Sequence, residues 1–91
     1  MTRDDIAEAV YERHGGLSRR ESRELVDRLL DRMKVALLSG DSVRISGFGR
    51  FEVVRRRARR GRNPSTGQRI EIGPRRRLIF RPSRRLVDAL N

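Results

Sequence analysis

Apolar positions recur along this chain with two periods, and each change of period predicts a new element. A first helix is predicted from about Arg3 to His14. Thr2 stands as its N-cap, with Asp5 three residues later as a weak capping box. Asp4 and Asp5 sit where the helix dipole favours negative charge. Ile6, Ala9 and Val10, with the aliphatic stem of Arg13, trace its expected apolar face. Tyr11 is expected at the helix edge and His14 at its surface end, before Gly15-Gly16 breaks the helix. The second helix carries the S-x-x-E box Ser18 to Glu21. Leu25, Val26, Leu29, Leu30, Met33, Ala36 and Leu37 follow at three- and four-residue spacing until Ser39-Gly40-Asp41. Mixed charge fills the opposite face. About 20 residues make a helix of roughly 30 Å, long for so small a chain. That length implies a second subunit along the apolar face.

The period then becomes two. Val43 and Ile45 alternate with polar residues, Gly47-Phe48-Gly49 supplies a turn, and Phe51 and Val53 resume the alternation, which predicts a β-hairpin. Leu78 and Phe80 mark a third strand, ended by Pro82. Ser83 caps a short last helix with Leu86, Val87 and Leu90. The chain is therefore α+β. Phe48, Phe51 and Phe80 follow the buried period and are expected in a core rather than stacked on bases.

Between the strands lies Arg55 to Gly73, 19 residues with seven Arg and one Glu. Asn63-Pro64-Ser65-Thr66-Gly67 reads as a turn, with Pro64 presetting φ and Gly67 free to take positive φ. Two extended limbs of about nine residues, each reaching roughly 30 Å, would form a β-ribbon. Such a ribbon repels itself and is expected to move until an anion holds it. Without it 72 residues remain (91 − 19). A core of that size seldom supplies more than a few kcal/mol unaided. With no disulfide and no metal set, a dimer is the expected support.

Charge sharpens the picture. Residues 1–46 hold nine basic and nine acidic side chains, whereas residues 47–91 hold fourteen and three. The whole net charge of +11 thus belongs to the second half. All but Lys34 of the 23 basic residues are Arg, whose planar fork suits phosphates. A one-sided basic surface points to nucleic acid. The absence of Cys and the single His leave no thiolate site, no recognisable nucleophile–base pair and no expected metal or cofactor. An enzyme is not expected, nor a small-molecule substrate. No apolar run approaches the roughly 18 residues of a membrane span, and no export signal opens the chain. Helix 2 lacks the basic face that binding to an anionic membrane would need.

Three blocks stand in order: Gly47-Phe48-Gly49-Arg50-Phe51, Gly61-Arg62-Asn63-Pro64-Ser65-Thr66-Gly67 and Phe80-Arg81-Pro82. With them the whole chain resembles the bacterial HU and integration host factor family of DNA-bending proteins. Its first half looks most like the alpha subunit of integration host factor. The resemblance implies an intertwined dimer, either a homodimer or a heterodimer with a beta-like subunit. It implies one domain over 1–91: a helical dimerisation base over 1–40, a three-stranded antiparallel saddle over 41–54 and 74–82, a DNA-embracing β-arm over 55–73 and a C-terminal helix over 83–91. Leu29, Leu30, Met33, Leu37, Phe48, Phe51 and Phe80 would form the dimer core.

By the same resemblance, double-stranded DNA is bound through the minor groove, with Pro64 wedged between base pairs. Arg62, Asn63, Ser65 and Thr66 would flank the wedge. Arg56, Arg57, Arg59, Arg60 and Arg69 would line the arm, about half of them facing away from the duplex. Arg75, Arg76 and Arg77 lie where the arm re-enters the body. Arg81, Arg84 and Arg85 surround the last helix start, and the Ser46-Gly47 backbone can approach phosphate. Apart from the resemblance, Arg3 near the start of helix 1 and Asp27 on the polar face of helix 2 can form an inert surface ion pair worth under about 1 kcal/mol, the ordinary reading, or a pair that Arg3 leaves for phosphate. The implied role is architectural, in the cytoplasm on the bacterial nucleoid, serving recombination and transcription. Ser83 stands where integration host factor usually has Gly, Gly15-Gly16 adds a residue relative to HU, and Gly73-Pro74 interrupts the strand leaving the arm. The very basic arm is expected to blur sequence preference. An RNA-binding or ribosome-associated protein is the alternative, although the deep narrow groove of A-form RNA suits this arm poorly.

Overall fold

A computed structural model describes residues 1–91, the side chain of Ile72 excepted. In order, the elements are α1 Arg3–His14, α2 Arg19–Leu38, β1 Val43–Ile45, β2 Gly49–Arg56, β3 Arg59–Arg62, β4 Arg69–Ile72, β5 Arg75–Pro82 and α3 Arg84–Leu90. They fall into two compact units, Met1–Ser39 and Gly40–Asn91.

In the helical unit both capping boxes close. Thr2 Oγ1 accepts from the Asp5 amide at 3.2 Å, and Asp5 Oδ2 accepts from the Thr2 amide at 2.8 Å. Ser18 and Glu21 make the same reciprocal pair at 3.0 and 3.1 Å. The Ser18 amide, then its hydroxyl, hold the Glu21 carboxyl below its usual range. The helices meet where side chains are small. Ala7, Ser22 and Val26 are buried, and Ser22 Oγ donates to the Ala7 carbonyl at 2.5 Å. This corrects the expected face of α1: Ile6 and Ala9 are exposed and Val10 is half-buried. A buried hydroxyl needs a partner, and Ala7 lets the Ser22 hydroxyl reach one. On α2, Leu30, Met33, Ala36 and Leu37 are half-buried. Leu25, Leu29, Val35 and Leu38 remain exposed, Leu29 at 57% and Leu38 at 61%.

The second unit is built on an antiparallel sheet of order β1-β2-β5. Phe48 donates its amide to the Ile45 carbonyl at 3.0 Å and so closes the β1–β2 turn, with Gly47 at φ 76°. Gly49, the first residue of β2, is buried. A Cβ there would stand 2.6 Å from the Phe80 ring and 2.7 Å from the Arg81 carbonyl oxygen, so only glycine fits. The Phe80 ring packs against Phe51 at 4.8 Å and Phe48 at 5.3 Å between centroids. Phe51 is half-buried, but Phe48 and Phe80 stay exposed within one chain. The Ser83 amide donates to the Phe48 carbonyl at 2.9 Å, while Ser83 Oγ caps α3 through the Leu86 amide at 3.2 Å. The start of α3 is thereby tied to the β1–β2 turn.

The ribbon differs from two continuous nine-residue limbs. β2 and β5 stay paired as far as Arg56 opposite Arg75. Pairing stops at Arg57-Ala58 and Gly73-Pro74 and resumes as the separate two-stranded sheet β3–β4. Pro74 has no amide to donate to a ladder, and Gly73 has no side chain to pack across it. Each strand of the outer ribbon has four residues, which span about 13 Å.

Candidate nucleic-acid interface

Directly opposed residues in an antiparallel pair share a face, and the side alternates along each strand. The register of β1, β2 and β5 therefore sorts the arginines. One face carries Arg44, Arg50, Glu52, Arg56, Arg75, Arg77 and Arg81, with the half-buried Val54 and Ile79 among them. The other carries Val43, Ile45, Phe51, Val53, Leu78 and Phe80, with Arg55 and Arg76 at its far end. Arg76 thus parts from Arg75 and Arg77, with which the sequence grouped it. In the outer ribbon Arg60, Arg62 and Arg69 share one side with Glu71, and Arg59 lies on the other. At the break between sheet and ribbon, Arg56, Arg57, Arg59, Arg75, Arg76 and Arg77 surround a concavity of about 420 Å³.

The tip is a hydrogen-bonded loop. The Asn63 amide donates to the Gln68 carbonyl at 2.8 Å, and the Gly67 amide donates to the Asn63 carbonyl at 2.7 Å. Asn63 Oδ1 accepts from the Ser65 amide at 2.9 Å, and Thr66 Oγ1 accepts from the Gln68 amide at 3.4 Å. Gly67 takes φ 73°, which the turn requires. The loop holds the Pro64 ring out into solvent, with Ser65 and Thr66 exposed beside it. Asn63 thus spends its side-chain oxygen on shaping the loop.

The other nominated residues lie nearer the body. Arg85 reaches the β1–β2 turn, where its Nη1 would be 3.4 Å from a Cβ on Gly47; Ser46 and Gly47 are exposed. Arg84 Nε stands 3.8 Å from Asp88 Oδ2 in an exposed pair. Arg3 belongs to the helical unit and donates from Nη1 to Asp27 Oδ1 at 3.1 Å, both side chains being about half exposed.

Three residues of the charged sheet face, Arg44, Arg50 and Glu52, were not among the contact residues expected from the sequence. Glu52 Oε1 accepts from Arg81 Nε, and Glu52 Oε2 lies 3.3 Å from Arg50 Nε. The Arg81 hydrogen bond is the main cause that holds the Glu52 carboxyl below its usual range; desolvation opposes it, and the fields of both guanidiniums assist it. Period-two alternation in β2 already puts Arg50 and Glu52 on one face. Arg81 joins them only through cross-strand pairing.

Residues 1–91 match the family described as bacterial DNA-binding protein. The chain is 53% identical over 91 residues to integration host factor subunit alpha of Myxococcus xanthus, covering 100% of this chain and 70% of that one. It is 52% identical over 88 residues to the corresponding subunit of a Jannaschia species, covering 97% and 87%. Its backbone is similar to that of Anabaena HU in a DNA cocrystal, with a TM-score of 0.82 at 30% identity over 99% of this chain and 97% of that one. The family favours DNA over the RNA alternative. With the α+β fold, the basic sheet face and the Pro-tipped ribbon in place, the chain belongs to the bacterial DNA-binding family of HU and integration host factor, architectural proteins that bind and bend DNA.

Proposed function

We infer that the chain works as a dimer whose two arms enter the minor groove and bend the duplex by wedging Pro64 at a base step. The observation that carries this reading is Pro64 held exposed at the tip of an arginine-rich ribbon. A proline ring is rigid and apolar and has no amide to leave unsatisfied between bases. In minor-groove architectural proteins, this family among them, unstacking a step costs a few kcal/mol, offset by contacts along the bent duplex. Arg60, Arg62 and Arg69 would follow the groove from one side of the ribbon. The concavity ringed by Arg56, Arg57, Arg59, Arg75, Arg76 and Arg77 would take the phosphates flanking the bend. Arg81, Arg84, Arg85 and the Ser46-Gly47 turn would meet the duplex closer to the body, and Arg3 would meet a phosphate as well. Ser65 and Thr66 would line the wedge.

The dimer is supported by what a single chain leaves uncovered. Leu29, Leu38, Phe48, Leu78 and Phe80 are all exposed. Large apolar side chains left exposed in each unit are the surface a second subunit would cover. The domain plan follows: residues 1–40 as dimerisation base, 41–54 and 74–82 as saddle, 55–73 as arm and 83–91 as last helix. The chain acts by binding and bending rather than by catalysis, on the bacterial nucleoid. End-to-end energy transfer across a duplex of about 30 bp tests the reading, since a bend brings the ends together. The wild-type chain should raise transfer, and Pro64→Ala should bind with most of that rise lost. Equal transfer by Pro64→Ala would refute the wedge. Binding without any rise by the wild-type chain alone would point to a required second subunit.

A further inference from the structure

Arg50 and Arg81 oppose each other directly across β2 and β5. Like charges in that position repel. Glu52, two residues along β2 on the same face, lies against both: Oε1 accepts from Arg81 Nε, and Oε2 is 3.3 Å from Arg50 Nε. Arg50 Nε is shut off from solvent and makes no hydrogen bond of good geometry, and its ion pair is with Glu52. The carboxylate thus accepts a hydrogen bond from Arg81 and pairs ionically with Arg50, at Nε in both cases. The Glu52 side chain is 23% exposed, whereas those of Arg50 and Arg81 are 39% and 57% exposed, so Glu52 is the least exposed of the three. Both arginines line a concavity of about 300 Å³ with Arg44, Ser46, Gly47 and Ser83. Arg50, Arg81 and Glu52 sum to a single positive charge, and Arg44 opposite Arg50 on the same face adds a second, so the concavity is cationic and suits a phosphodiester.

We propose that Arg50 and Arg81, set side by side by Glu52, form a seat for one backbone phosphate of the bound duplex, with Glu52 as its positioning residue. The proposal rests on DNA being the partner. Guanidinium groups bind phosphate best as pre-oriented forks. A bare pair of arginines would splay apart, and an acid on a DNA-facing surface would otherwise only weaken binding.

The test is affinity of the full-length protein for one linear duplex across a series of salt concentrations. Arg50→Ala should lower the slope of log K against log salt by about 0.9 for each seat emptied. Glu52→Gln adds positive charge, yet should weaken binding roughly tenfold, the scale of one charge-assisted hydrogen bond. Glu52→Asp keeps the charge but is too short to span both arginines, and should also bind more weakly. A merely structural role would lower the melting temperature without moving the salt slope. Tighter or equal binding by Glu52→Gln, with Glu52→Asp equal to wild type, would overturn the proposal. So would an unchanged slope for Arg50→Ala. Should Arg50→Ala or Glu52→Gln not fold at the assay temperature, Arg50→Gln and Glu52→Asp decide by the same criterion. Failure of the wild-type chain to bind would overturn the DNA reading itself, whereas wild-type binding with unaffected variants overturns only the seat.

Discussion

Replacing Gly49 by Ala tests how closely the sheet and the aromatic cluster are fitted. The added Cβ would stand 2.6 Å from two Phe80 ring carbons and 2.7 Å from the Arg81 carbonyl oxygen. Neither can give way easily. The Arg81 backbone belongs to the β2–β5 ladder, and the Phe80 ring lies against both Phe48 and Phe51. Overpacking costs about 1–3 kcal/mol, and a clash with fixed backbone belongs in the upper half of that range. The more restricted unfolded chain returns about 0.4–1 kcal/mol. The net loss is therefore about 2 kcal/mol. For a chain of this size each kcal/mol moves Tm by about 4–8 °C, which gives a drop of about 8–16 °C. Thermal melts followed by circular dichroism would measure it, at one protein concentration because a dimer melts with a concentration-dependent Tm. Gly67→Ala is the control, since it meets nothing within 4 Å and tests backbone strain alone. A drop below about 2 °C for Gly49→Ala would refute the close-approach argument.

Further outcomes are expected. Asp27→Ala frees Arg3 from an exposed pair and should cost under about 1 kcal/mol of stability. If Arg3 exchanges Asp27 for phosphate, the same variant binds DNA more tightly; unchanged affinity and salt slope would exclude the exchange. Leu29→Glu puts a charge on exposed apolar surface of α2 and should convert the dimer to monomer in sedimentation; an unchanged mass would remove Leu29 from the interface. The folded-state pKa values of Glu21 and Glu52 lie below the usual range. Both therefore stabilise the fold above the ordinary glutamate pKa of about 4.3 and lose that contribution as pH falls through their lower folded values. Urea midpoints should hold steady from about pH 7 to 5 and decline below about 4, less steeply in the Glu21→Gln and Glu52→Gln variants. A variant that declines like wild type shows that its carboxyl does not contribute.

Much of this molecule is written in short-range chemistry. The capping boxes at Thr2 and Ser18, the Gly47 turn and the Ser83 cap each join groups within three residues, so the sequence alone was enough to place α1, α2, the hairpin and α3. Charge bookkeeping found the basic half, and turn chemistry found Pro64 at a tip. What the sequence could not place depends on groups far apart in the chain. The meeting of Ala7 with Ser22 is decided by how closely two helices can approach, which no apolar stripe announces. The break at Gly73-Pro74 shortens the outer ribbon because it acts on a ladder shared with Arg57-Ala58. Gly49 is needed because of Phe80, and Glu52 binds Arg81 across 29 positions. Both follow from the β2–β5 register. A slip of one residue would send each side chain to the other face, so only the packed sheet decides which arginines stand together.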